Sequence, residues 1–157
     1  RKSELLLYTT LVHIGNQEYK VAKKYISNAI IDHNIKYLPL MRTIRLVRLI
    51  VFYEVQEHEL IQYESRSITR SLSSPKEQTF KTERIILWFL NKRNIPILKK
   101  DREAFWEKLS PEIHELYNNK YESQLLRLFD FTAWMESKIR KEKLSEVLRA
   151  RTSAKEC

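Results

Sequence analysis

Arg42, Arg45 and Arg48 recur every third residue in "LPLMRTIRLVRLIVFYE", an otherwise mostly apolar run. On a helix this spacing makes one gently spiralling stripe, and each guanidinium can grip a carboxylate or phosphate through two parallel N–H donors. Tyr53, eleven residues beyond Arg42, returns to nearly the same face at 3.6 residues per turn. Arg42, Arg45, Arg48 and Tyr53 therefore form the candidate binding set, and an acidic peptide segment is the ligand they suit. The competing use is structural, with the arginines paired to Glu54, Glu57, Glu64 or Glu83.

Other chemistries find less support. His13, His33, His58 and His114 fall on different helices or turns, and no two have the i, i+4 spacing that puts two imidazoles on one helix face. Cys157, the only cysteine, is the last residue and can form no disulfide within the chain. Asp130 and Glu136 are the imaginable acid–base pair, but six residues of helix turn them about a third of a circle apart. Trp88, Trp106 and Trp134 sit in apolar clusters at helical spacing, which reads as core before base-stacking platform. The sequence thus predicts a non-enzymatic chain with no catalytic residue, metal or cofactor.

These side chains need elements to position them, and composition decides which. The 157 residues suffice for one buried core, and a single glycine removes the hairpin turns of most β architectures along with glycine-rich phosphate loops. The expected class is all-α. Net charge is +9, from 29 basic and 20 acidic residues, and it is interleaved in sign along most of the chain, as on a solvated helical surface. Three arginines would be costly at membrane depth, so the arginine run reads as a buried helix without membrane insertion, and a cytoplasmic setting is expected. A start at Arg1 suggests a fragment of something longer.

Capping signals divide the chain. A first helix over 4–14 stops at Gly15; a second runs from about 17 to 33 with Asn16 as N-cap; Pro39 opens a third that reaches Glu54; a fourth ends near Leu72. Ser74, Pro75 and Glu77 form a capping box before a fifth helix. "SPE" at 110–112 restarts a sixth, "YNNK" makes a turn, and one long helix follows from Tyr121. The expected organisation is a single domain over 1–143 and a polar, frayed tail over 144–157. Hairpins then begin near residues 4, 39 and 76, close to the period of about 34 known for tetratricopeptide repeats.

"YKVAKKYISNAI" resembles the second helix of a tetratricopeptide repeat, with Tyr19, Ala22, Ile26 and Ala29 in the aromatic, small, large and small places and Gly15 just before them. A shift of 38 residues brings Tyr25 onto Tyr63 and Ala29 onto Ser67. The terminal "LFDFTAWMESKIRKEK" resembles the ends of uncharacterised bacterial proteins carrying such arrays. The resemblance implies antiparallel hairpins stacked as a right-handed α-solenoid closed by a C-terminal capping helix. In that arrangement Ala22 faces the first helix and Ala29 receives the third. It implies a non-catalytic scaffold for a protein or peptide partner. The alternatives are a basic nucleic-acid-binding domain, or a packing module of a larger protein whose activity lies upstream.

Overall fold

The structure, a computed structural model, describes residues 2–29, 39–73, 80–91 and 95–155. Every regular element among them is a helix: α1 (Lys2–Gly15), α2 (Tyr19–Ser27), α3 (Pro39–Glu54), α4 (His58–Leu72), α5 (Lys81–Asn91), α6 (Lys99–Asn118), α7 (Ser123–Leu128), α8 (Phe131–Arg140) and α9 (Leu144–Lys155). The all-α class is therefore observed. Among the described residues no helix is long and apolar enough to cross a membrane. The expected break after α2 and the Ser74–Glu77 capping box lie outside the described residues. The chain divides into two compact units, Arg1–Glu83 and Arg84–Cys157.

In the first unit, α1 packs on α2, α2 on α3 and α3 on α4. Leu7, Thr10 and Ile14 make the buried face of α1, and Ala22 and Ile26 that of α2. The two hairpin turns are built alike. After α1, the Glu18 N–H reaches the His13 carbonyl and the Gln17 N–H that of Ile14; after α3, Glu57 reaches Phe52 and Gln56 reaches Tyr53. This paired pattern is the Schellman motif, whose penultimate residue must be left-handed. Gln17 and Gln56 supply it, with φ of 62° and 60°. The repeat is therefore set by a shift of 39 residues, Gln17 onto Gln56, and not by 38. At this shift the buried Ala22, Ile26 and Ala29 fall on the buried Ile61, Ser65 and Ile68.

In the second unit α8 is the hub: α6 and α9 pack on it, and Phe131 through Ser137 are buried without interruption. The single long helix expected from Tyr121 is two helices, α7 and α8. Phe129 is extended between α7 and α8, and Asp130 caps α8 by accepting the Ala133 N–H at 3.0 Å. Lys141 then turns left-handed at φ 59°. The 144–155 stretch, expected to fray, is helix α9, started by the Lys143 N–H donating to Glu146 at 3.1 Å. Conversely, the expected restart at Ser110 does not occur. Pro111 sits inside a continuous α6, because Trp106, Leu109, Ile113 and Leu116 carry one buried stripe straight past it.

Candidate functional site

The three arginines of α3 lie in one continuous helix, yet they serve three different neighbours. A step of three residues on an α-helix falls about 60° short of a full turn, so the stripe fans across α3. Arg42, 5% exposed, donates to Glu83 Oε2 at 2.7 Å and stacks over the Phe80 ring at 5.2 Å. Arg45 reaches Ser67 and Ser71 of α4 at 3.1 and 3.4 Å. Arg48 donates to the carbonyls of Ile26 and Ala29 at 3.3 and 2.9 Å and sits 3.8 Å from Glu64.

Arg48 thereby ends α2. Carbonyls at a helix C-terminus have no intrahelical partner and carry the negative end of the dipole, so a guanidinium from α3 satisfies both. This also explains why α2 ends at Ser27 and not near 33. Burial pushes the Arg48 pKa down, Glu64 pulls it up and Arg45 pushes it down again. Burial pushes Glu83 up from the ordinary carboxylate value, against the opposing pull of Arg42 and the Phe80 N–H. Two of the four carboxylates weighed as structural partners, Glu64 and Glu83, are thus found against Arg48 and Arg42. Tyr53 is half-buried, its pKa raised by burial and by Glu54.

The residues assigned to repeat packing divide. Ala22 and Ile26 are fully buried and Ala29 is 3% exposed. Gly15 is helical and a Cβ there would meet nothing within 4 Å, so the turn does not depend on its being glycine. Tyr19 begins α2 at the mouth of an open cleft of about 510 Å³ between the two turns, lined also by Gln17, Lys20, Glu54, Val55 and Gln56. Burial, aided by Glu54, raises the Tyr19 pKa to about 12. Lys23 of α2 pairs with Glu57 of the second turn, joining one hairpin to the next.

The second unit holds a polar cluster that sequence reasoning did not assemble. Arg151 of α9 donates from Nε and Nη2 to Glu136 Oε2 at 2.9 and 2.6 Å. Its Nη1 reaches Tyr117, Thr132 and Asp130 at 2.7, 2.8 and 3.2 Å. Tyr117 donates to Asp130 at 2.6 Å, and burial raises its pKa to about 12. Asp130 and Glu136 thus share one guanidinium, and Arg140 of α8 adds a second cation 3.2 Å from Glu136 Oε1. The arrangement fixes α9 to α8. The readable signal was the pairing of Asp130 as N-cap with a basic residue in what looked like a tail.

Among the described residues no group of three or more His, Cys, Asp and Glu comes together to hold a metal. Compared with protein-family models, curated proteins and solved structures, the chain shows no significant match to any.

Proposed function

We infer that this chain is a non-catalytic scaffold for a protein or peptide partner, made of tetratricopeptide-like helical hairpins stacked in a right-handed array. The observation that carries the reading is the repetition in the first unit. Two successive hairpins share the same Schellman turn, the same left-handed glutamine and the same buried positions at a shift of 39 residues. Repeats of this kind bury a face only against their neighbours, and stacks of them serve as extended binding surfaces. The spacing exceeds the family period of about 34.

Within this reading Arg42, Arg45 and Arg48 serve to join hairpins, and the ligand surface lies elsewhere. A peptide-display library selected on the purified chain tests the function. Enriched peptides should share a sequence pattern and bind one per chain, with affinity changing little between about 50 and 200 mM salt. A chain that takes no peptide but binds nucleic acid, losing about 10³-fold or more over that salt range, would be a phosphate binder instead.

A further inference from the structure

We propose that Tyr117, Asp130, Thr132, Glu136 and Trp106 form an arginine socket, which α9 fills from within the chain. The ligand it serves is a partner's helix that carries an arginine four residues after an apolar side chain and displaces α9. The proposal rests on the reading of the chain as a binder of protein partners, and it places one binding surface in the second unit.

The socket is built without α9. Asp130 Oδ1 is held by the Ala133 N–H at 3.0 Å and by the Tyr117 and Thr132 hydroxyls at 2.6 and 2.7 Å. On Glu136, Oε1 faces Arg140 of the same helix at 3.2 Å. One oxygen of each carboxylate is thus engaged by α6 and α8 themselves, and the other is left for a guanidinium. Arg151 takes both. Its Nε and Nη2 meet Glu136 Oε2, and its Nη1 lies 3.2 Å from Asp130 Oδ2 and 3.4 Å from Oδ1. The guanidinium also lies over the Trp106 ring, 5.9 Å from its centroid. Without Arg151, two carboxylates face one cation, Arg140, so the socket is one positive charge short. Its acceptors are spread to meet a planar fork of donors, which an ammonium does not provide.

What α9 adds beyond that guanidinium is slight. Among its described side chains only Val147 is buried; Leu144 and Arg151 are half-buried and the others are exposed. A helix of 12 residues is marginal in water by itself, so α9 persists only while seated. Segments with so few buried apolar side chains open at the low end of a protein's range of local stabilities. The socket stands instead on α8, which is buried without interruption from Phe131 through Ser137, and it keeps its shape when α9 leaves. Val147 and Arg151 are four residues apart and share one helix face. A partner helix that repeats this pair meets the same contacts. An acidic helix meets Asp130 and Glu136 and is repelled.

The test is a fluorescence-anisotropy titration of the full chain with a labelled, end-blocked peptide of residues 143–155, "KLSEVLRARTSAK". The wild-type chain should bind it weakly, because the tethered α9 occupies the socket at high effective concentration. Arg151→Ala in the chain unseats α9, so the same peptide should bind at least about tenfold tighter, an affinity gained by losing a side chain. Adding Glu136→Gln to that chain should reverse the gain. In the peptide, Arg151→Lys should weaken binding at least about tenfold, and Arg149→Ala should change nothing, since Arg149 is exposed. Hydrogen exchange of the wild-type chain under excess peptide should quicken over 144–155 and stay slow over 131–140. Equal affinity for wild type and Arg151→Ala, or no binding to either, overturns the proposal. So does a peptide whose Arg149→Ala and Arg151→Lys forms bind alike. A dimer by light scattering that Arg151→Ala dissociates overturns it too, the occupant then being a second copy. Should display-selected peptides without an arginine bind wild type and Arg151→Ala alike, the scaffold reading stands and this socket falls.

Discussion

A chain with one glycine must turn its corners with other residues, and the strain is visible at Gln17, Gln56 and Lys141, all left-handed. The glycine that is present, Gly15, sits two residues too early to relieve it. Exchanging them should help twice over. Gly15→Ala removes backbone freedom from the unfolded chain at an open helical position, a gain of about 0.5–1 kcal/mol. Gln17→Gly relieves a left-handed penalty of about 1–2 kcal/mol against glycine's own entropy, a net gain of about 0.5–1. Thermal unfolding of both single variants checks this, and a loss at Gln17→Gly would mean the side chain matters to the cleft. Tyr19 and Tyr117 make a second prediction at this scale. Their pKa values are raised from 10 to about 12. The folded state therefore holds the phenolic proton more tightly. The stability this gives is whole below pH 10 and is lost as pH rises towards 12. Absorbance titration should show phenolic ionisation extending towards pH 12, and Tyr117→Phe should remove part of that late amplitude.

At the scale of the element, α9 stays in place because Val147 is buried and Arg151 threads a guanidinium among Glu136, Asp130, Tyr117 and Thr132. Arg151→Ala would take the guanidinium from Asp130 and leave Glu136 to Arg140 alone, and charged hydrogen bonds of this kind are worth about 1.5–3 kcal/mol. Hydrogen exchange over 144–155 should quicken by about 10- to 100-fold, and Arg151→Lys should not restore protection, since an ammonium lacks the planar fork that meets Glu136 and Tyr117 together. Equal exchange in all three proteins would show that Val147 alone anchors the helix. Much of this level was legible: α3 starts at Pro39 and ends at Glu54 as the caps indicate, and α4 ends at Leu72. What escaped was tertiary. Pro111 should break α6 by local rules, but the stripe from Trp106 to Leu116 overrides it. Asp130 was visible as a capping residue type, yet the apolar run around it masked the corner. The "QE" of "GNQEY" returns in "EVQEH" exposing the true register, but a shift judged by aromatic residues alone lands one residue short.

For the molecule as a whole, the question left by composition is what a net charge of +9 does. The arginine row that most resembled an anion clamp in the sequence is turned inward. Arg42 is paired with Glu83, Arg48 lies near Glu64 and caps α2, and Arg45 is bonded to two serines. Elsewhere Lys23 meets Glu57, Arg140 and Arg151 meet Glu136, and Lys99 meets Glu103. A row of guanidinium groups was readable from spacing. Their partners were not, because Glu83 and the end of α2 come near only once the hairpins fold. Charge used this way weakens a nucleic-acid surface, since each phosphate contact needs a cation free to release counterions. A gel-shift with random duplex DNA and RNA should therefore show, at 200 mM salt, no complex tighter than the about 10⁻⁴ to 10⁻⁶ M typical of non-specific binding. Its salt slope should stay shallow between 50 and 200 mM and be unaltered by Arg45→Gln. A steep slope that Arg45→Gln reduces by about one phosphate contact would return the α3 arginines to the role of anion site, and the hairpins would then be the frame of a nucleic-acid-binding domain.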